Sequence, residues 1–411
     1  MKKMKNKILF LSGLDFKEKS IQVIKKTPEA YRDAGWSVTY IVARDTSKQG
    51  NYYYEKPINL PNITIKRFRR PFPMLRDNLP HIFSNIVSLL GSWFVVFKLF
   101  FKGLKQIQKE KYDVIYGYER EGTVAALLIK IIFKNKYKYV SRFQGTFIKK
   151  YLDENNIKSI VGNMLSFIAM YFKTDLLIMT DDGTQGNLAL EMIHSKNLNN
   201  FLFLKNGVDK PSLDSNYLKW LYSKYKKENE IILVSVSRLV DWKRIDRGII
   251  LTKILKEAKE KVKYLVVGEG PERVKLEKMV QDYSLEKEVI FVGAIKHEDV
   301  ANYIEFADFF ISFYDGSNVG NPLLEAINQN KIIVTLNNGD TAKIIKHKYN
   351  GYIYNPNTIN YVDISKDLIE CYYSIEKQTL LNKNIKKTCS EIIYSWEKRF
   401  DSEIKRVEEL L

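Results

Sequence analysis

In "VSVSRLVDWKRIDRGI", Arg238 and Lys243 stand five residues apart. The β-branched run ahead of them reads as a strand, so Arg238 ends that strand and Lys243 opens the next helix. Two cations at such a corner both reach a diphosphate, and the helix N-terminus adds partial positive charge. In a lysine-rich chain such a pair, taken alone, is more often a solvated corner. A second constellation lies in "YDGSNVGNPLLEAINQNK", residues 314–331. Gly320 removes a side chain where a loop approaches a ligand, and Pro322 starts a helix. Free N–H groups of that turn suit a phosphate or a sugar hydroxyl. Glu325, placed on the first turn, accepts from vicinal hydroxyls such as a ribose diol, or else only complements the helix dipole. Ser317 stands eight residues before it and Asp315 two before that. "VVGEGPERVKLE" adds a glycine turn at Gly268, with Pro271 at a helix start.

The elements that must position these residues alternate along the chain. "KILFLSG", "AGWSVTYIVA", "YDVIYGY", "KYKYVSRFQG" and "DLLIMTDDG" are short runs of β-branched or aromatic residues that end in glycine or polar residues. "IILVSVSRL", "VKYLVVGEGP", "EVIFVGAI", "DFFISFYDG" and "KIIVTLNNGD" repeat the form, with helical patterns between them. Strands alternating with helices predict parallel sheets built from right-handed crossovers. The fold class is therefore α/β: two doubly wound Rossmann-like domains, residues 1–205 and 206–395, hinged around Asn206 to Pro211. In such sheets ligands bind beyond the carboxyl ends of the strands. Two domains of this kind facing a central cleft suit a transfer between two substrates.

Composition bounds the partners. A 411-residue chain with 45% apolar residues fills two cores. The net charge of +18 predicts attraction to anions. No basic-aromatic recognition module accompanies that charge, so nucleic acid is not an expected partner. Two cysteines, Cys371 and Cys389, stand far from any Cys/His cluster, which argues against a disulfide framework or a zinc site and for a reducing cytoplasm. The start, "MKKMKNKILFLSG", reads as a first strand and not as a cleaved leader. Asp181 and Asp182 are a lone acidic pair, and no metal is expected.

Taken in order, "NGVD", "SVSRL…K", "VVGEGPER", "VIFVGAI", "GNPLLEA" and "YNGYIY" resemble glycosyltransferase family 4, retaining nucleotide-sugar transferases of the GT-B fold. The resemblance covers nearly the whole chain and is strongest from residue 206 to residue 356. It implies that Arg238 and Lys243 hold the donor diphosphate and that Glu325 holds the ribose. The turn around Asn318, Val319, Gly320, Asn321, Pro322 and Leu323 would sit against the phosphate and sugar. Val292 to Ile295, with Ala294 between them, would present backbone to the base. Gly13 marks the N-domain loop, and the final helix, residues 396–411, would cross back to the N-domain. No cofactor is implied beyond the donor, a nucleotide diphosphate sugar, with UDP favoured over GDP. The acceptor implied is a saccharide or a polyprenyl-diphosphate-linked saccharide of a bacterial surface polysaccharide.

The chain departs from that family in places. The first of the two glutamates the family spaces by eight residues is Ser317 here, and Asp315 is the nearest acid to take its role. Lys343 stands at another acidic position, and the N-domain histidine near the sugar is absent. A GT-B epimerase or hydrolase, or a non-catalytic nucleotide binder, would carry the same motifs. Finally, "IKRFRRPFPMLRDNLPHIF" interleaves arginines with aromatics ahead of the apolar run "IVSLLGSWFVVFKLFFKGLKQ". A basic-aromatic loop and the outer face of the helix that follows are expected to rest on anionic lipid at the inner face of the cell membrane.

Overall fold

The computed structural model describes residues 6–16, 22–44, 58–71, 81–194 and 200–411. It divides into two compact units. One comprises Met1–Asp181, Gln185–Asn206 and Glu397–Leu411; the other comprises Asp182–Thr184 and Gly207–Trp396.

Among the described residues of the first unit, seven parallel strands run in the order β3-β2-β1-β4-β5-β6-β7. They are β1 Lys7–Ser12, β2 Ser37–Arg44, β3 Thr64–Arg69, β4 Val114–Tyr118, β5 Lys138–Phe143, β6 Leu176–Thr180 and β7 Phe201–Leu204. Helices cover both faces, which is why the central strands are continuous apolar runs and do not alternate. The strand order reverses between β1 and β4, which is where an open sheet of this type holds ligands. The stretch expected as a basic-aromatic loop begins instead as the edge strand β3, paired with β2. Two of its arginines are used within the unit: Arg67 pairs with Asp15 at 3.0 Å, and the buried Arg70 lies 3.7 Å from Glu121. Residues 72–80 of that stretch lie outside the described residues.

The terminal helix, Trp396–Glu408, is tied to this first sheet through a buried polar cluster. Glu403 is fully buried, pairs with Arg399 at 2.5 Å and accepts from the Tyr116 hydroxyl at 2.6 Å. Burial would raise its carboxyl, but Arg399 and Arg142 outweigh that and hold it below the usual carboxylate range.

In the second unit, six parallel strands run in the order β10-β9-β8-β11-β12-β13 among the described residues. These are β8 Glu230–Val236, β9 Lys261–Val267, β10 Val289–Gly293, β11 Phe309–Ser312, β12 Ile332–Leu336 and β13 Tyr352–Tyr354. Here the order reverses between β8 and β11. The loops that follow these two strands carry Arg238, Lys243, Asp315 and Ser317. Gly268, just past β9, has φ +142°, and a Cβ there would lie 1.8 Å from the Ser237 carbonyl oxygen. The glycine turn is thus required for β9 to close against the corner that bears Arg238.

Candidate functional site

The cationic corner forms as the motif spacing implies, with one difference in its local structure. Arg238 is exposed two residues beyond β8. Lys243 closes a 3-10 turn, Asp241–Lys243, and does not open the helix, which begins at Ile245. The cause is Arg244, whose left-handed backbone (φ 46°) turns the chain just before the first helical residue. Lys243 Nζ lies 3.6 Å from the centroid of the Tyr314 ring and 4.1 Å from that of Trp242. Burial between these rings, and then the charge of Arg238, push the ammonium down to about 7, with Asp182 acting the other way. Neither Arg238 nor Lys243 makes an ion pair among the described residues. Arg244 and Arg247 beside them are both committed to acids.

One of those acids is Asp315. Its carboxylate lies 2.8 Å from Arg247 Nη1 and 3.3 Å from Arg244 Nη1, and its amide donates to the Trp242 carbonyl at 2.9 Å. The side chain thus staples its loop to the neighbouring corner, so it is not the free acid that would stand in for the glutamate absent at Ser317. Ser317 is also committed. Its hydroxyl donates to the Asp182 carbonyl at 2.7 Å and accepts from the Val319 amide at 3.1 Å. A Cβ built on Gly183 would lie 2.5 Å from Ser317 Oγ. The space that a serine leaves in place of a glutamate is therefore filled by the backbone of Asp182–Thr184. Ser317→Ala should remove the bond to the Asp182 carbonyl, deprive the buried Val319 amide of this acceptor and cost about 1–3 kcal/mol of stability. Chemical denaturation checks this; an unchanged midpoint would remove Ser317 from the framework of the loop.

The rest of the turn divides into framework and surface. Asn318 is fully buried, accepts from the Tyr314 amide at 2.9 Å and donates to the Leu336 carbonyl at 3.1 Å. Val319 and Leu323 are buried as well. Gly320, Asn321 and Pro322 remain partly exposed. A Cβ at Gly320 would meet only Pro322 Cδ, at 3.7 Å, so packing within the protein does not demand glycine there. A ligand approaching the backbone would.

Glu325 sits on the second turn of the helix Asn321–Asn328, capped at Gly320, and no acid occupies the first turn. This corrects the expected position and weakens the helix-dipole explanation, because that effect fades within a turn. Its Oε1 lies 3.0 Å from His297 Nε2. His297 opens the helix His297–Phe306, just after the Val292 to Ile295 segment, which begins at the end of β10. Sequence reasoning gave His297 no role; its place directly behind "VIFVGAI" was the available signal. Glu325 and His297 line a cavity of about 220 Å3 together with Val208, Asp209 and Lys210, so "NGVD" and "GNPLLEA" meet at one site.

Gly13 belongs to the first unit. A Cβ there would lie 2.9 Å from Glu121 Oε2, which gives the glycine a packing reason. The acids of the lone pair diverge: Asp181 bonds Lys205 at 2.5 Å, and Asp182 accepts from the Thr184 hydroxyl at 2.6 Å.

Comparison with known proteins names the class to which this geometry belongs. The family described as "Glycosyl transferases group 1" matches residues 220–388, which contain the cationic corner, the Gly320 turn and Glu325. The chain carries a glycosyltransferase domain. The matched family is one of enzymes, transferases of glycosyl groups. Alpha-monoglucosyldiacylglycerol synthase of Streptococcus pneumoniae is 31% identical over 148 residues, 36% of this chain and 33% of that protein. The chain thus matches a third of the length of that curated relative. Among solved structures, sucrose-phosphate synthase of Thermosynechococcus elongatus superposes with a TM-score of 0.75 at 16% identity, covering 99% of each chain. HepE of Anabaena, solved in complex with UDP-glucose, gives 0.70 at 16% identity, covering 99% of this chain and 100% of its own. At these identities the likeness is one of fold: each unit is an α/β fold around a parallel sheet, as in GT-B glycosyltransferases.

Proposed function

We propose that the chain is a retaining transferase of glycosyltransferase family 4. It moves a sugar from a nucleotide diphosphate sugar, a UDP-sugar first and a GDP-sugar second, to a saccharide or polyprenyl-diphosphate-linked acceptor of a surface polysaccharide. The observation that carries this reading is the cationic corner without a counter-anion. A half-buried lysine with its ammonium lowered to about 7, beside an arginine with no ion pair among the described residues, lacks the charge that a diphosphate brings. In transfer the same cations stabilise the leaving diphosphate, whose oxygen takes the acceptor proton, so no enzyme nucleophile is required. The UDP-glucose complex of HepE supports the choice of nucleotide. A thermal-shift screen of UDP, GDP and their sugars tests it: stabilisation follows the ratio of ligand concentration to dissociation constant, about 2.7 kcal/mol at a hundredfold excess. No shift with any nucleotide diphosphate would defeat the proposal.

The same reading places the enzyme on the membrane that carries a lipid-linked acceptor. The helix His81–Lys109 buries Val95, Val96 and Leu99 in the first unit and leaves Ile86, Leu90, Phe94, Phe97 and Phe101 exposed. Spacings of four, four, three and four residues put these five on one face. Lys98, Lys102 and Lys105 are exposed around that stripe. By length and composition, residues Ile86–Lys109 are also long and apolar enough to cross a membrane; 33% of that window is buried. A stripe of aromatics ringed by lysines is the pattern of an interfacial helix on anionic lipid. With Arg67 and Arg70 engaged inside the unit, this helix is the membrane-facing element. The double variant Phe97→Ser, Phe101→Ser should lose most sedimentation with phosphatidylglycerol vesicles, since each buried aromatic contributes about 1.5–3 kcal/mol. Equal sedimentation of the variant and the wild type, or binding indifferent to lipid charge, would count against it.

A further inference from the structure

Lys243 is held by rings, whereas the two arginines that follow it are held by acids. Arg244 pairs with Asp246 at 2.8 Å, and Arg247 pairs with Asp315 at 2.8 Å. Lys243 Nζ lies 3.6 Å from the centroid of the Tyr314 ring and 4.1 Å from that of Trp242. We infer that Trp242 and Tyr314 are positioning residues: they hold the Lys243 ammonium on two ring faces in place of an acid and present it to the donor diphosphate.

The corner is built from the loops after two neighbouring strands, β8 and β11. Trp242 and Lys243 share the turn Asp241–Lys243, and Tyr314 stands two residues past the end of β11. Two hydrogen bonds fix the rings. The Asp315 amide donates to the Trp242 carbonyl at 2.9 Å, and the Tyr314 hydroxyl donates to the Val236 carbonyl of β8 at 3.2 Å. The rings meet edge to face, with centroids 6.1 Å apart and planes at 79°. An ammonium in that corner has a π face on two sides.

The rings act on Lys243 in two opposed ways. Their bulk keeps water away, which favours the neutral amine, and this effect is the larger. Their faces attract the cation, which favours the charged form. The charged groups acting on the ammonium are Arg238, from the loop after β8, which lowers it further, and Asp182, which opposes this. Tyr314 adds no charge, because burial holds its phenol well above its usual range. The balance leaves a half-buried ammonium near 7, with no ion pair among the described residues.

An acid in the place of the rings would do the reverse. It would fix the lysine as charged, and its own charge would repel an arriving diphosphate. A π face carries no net charge and binds a cation more weakly than a phosphate oxygen does. The ammonium can therefore keep its place on the rings and still meet the anion. Donor binding then takes up a proton, and the rings decide at which pH. That last step rests on the proposed function; the hold of the rings on Lys243 does not.

The test first reads Lys243 without ligand, by pulsed acetylation with acetic anhydride across its titration, scored at Lys243 by mass spectrometry. The midpoint should lie near pH 7 in wild type. Trp242→Ser admits water and should raise it by about one pH unit or more. Trp242→Leu excludes water but offers no π face, so it should lower the midpoint. Trp242→Phe restores a face and should return the wild-type value. Calorimetry with UDP-glucose completes the test. Wild type should bind roughly tenfold more tightly at pH 6 than at pH 8, because an amine with a midpoint near 7 is mostly neutral by then. Trp242→Ser should narrow that ratio to roughly twofold. Coincident midpoints in wild type, Trp242→Ser and Trp242→Leu would overturn the inference, and so would an undiminished ratio in Trp242→Ser. Should Trp242→Ser fail to fold, the contrast between Trp242→Leu and Trp242→Phe decides. If wild type fails to bind UDP-glucose while the midpoints move as expected, the proposed function falls and the hold of the rings stands.

Discussion

Arg238→Ala and Lys243→Ala should each weaken binding of a nucleotide diphosphate sugar by about 1.5–3 kcal/mol, a factor of roughly 10 to 150 in dissociation constant. Both cations act on one leaving group, so the double variant should lose less than the sum. Turnover should fall at least as far, because the charge they meet grows as the glycosidic bond breaks. Lys243 gives this result a second signature. Its free-state ammonium sits near 7, and a bound diphosphate raises it, so donor binding takes up a proton. Affinity is then greatest below about pH 7 and falls as pH rises above it. UDP-glucose is a diphosphodiester with no proton of its own to lose in that range, so the slope belongs to the protein. Lys243→Ala should abolish the slope, whereas Arg238→Ala should shallow it, since the neighbouring guanidinium is one cause of the lowered ammonium. The unliganded Lys243→Ala protein should be no less stable than wild type near pH 7, because the substitution removes a burial penalty. Wild-type affinity in both variants, or an unchanged pH slope in Lys243→Ala, would end the assignment of this corner to phosphate.

How far the sequence carried this site depends on the range of the interactions involved. The two sheets were legible because fully buried parallel strands are short apolar runs, and the glycine or polar residue after each marks the carboxyl edge. Arg238, Lys243 and Glu325 were found because each stands at such an edge. What distant chain segments do was not legible. Ser317 bonds a carbonyl 135 residues away, and nothing around "DGSNVG" announces that "DDGT" fills the space beside it. Asp315 looked like a free acid because its arginines, at 244 and 247, follow another strand. His297 and Glu325 lie 28 residues apart on two helices that meet only after β10 and β11 are placed side by side with β8 and β9. Local signals erred where a single backbone angle decided. Arg244 in the left-handed region delays the helix by two residues, and "IKRFR" pairs as an edge strand because β2 offers it a partner.

Glu325→Gln should lower nucleotide affinity by about 1.5–3 kcal/mol while leaving stability within a few tenths. The amide oxygen replaces Oε1 as the acceptor for His297, so the contact at 3.0 Å survives. What changes is the other position, where an acceptor oxygen becomes an NH2 donor facing the cavity that His297, Val208 and Asp209 share. A ribose diol needs acceptors for two donated protons, and the Glu325 carboxylate offers a charged one on this wall of the cavity. A nucleotide diphosphate lacking both ribose hydroxyls should therefore bind wild type as poorly as the variant binds the full nucleotide, and the variant should hardly distinguish the two. His297→Ala should cost less, because it frees the carboxylate but removes only its orientation. A glutamate acting on the helix dipole alone predicts the opposite pattern: a small loss of stability and no loss of ribose discrimination. The position of Glu325 on the second turn already argues against that, since the dipole acts on the first. Calorimetric titration of the four combinations, wild type and variant against the ribo and dideoxyribo nucleotides, yields the coupling between Glu325 and the diol directly. A coupling near zero would place the ribose elsewhere and leave Glu325 as the partner that fixes the first turn of the His297 helix.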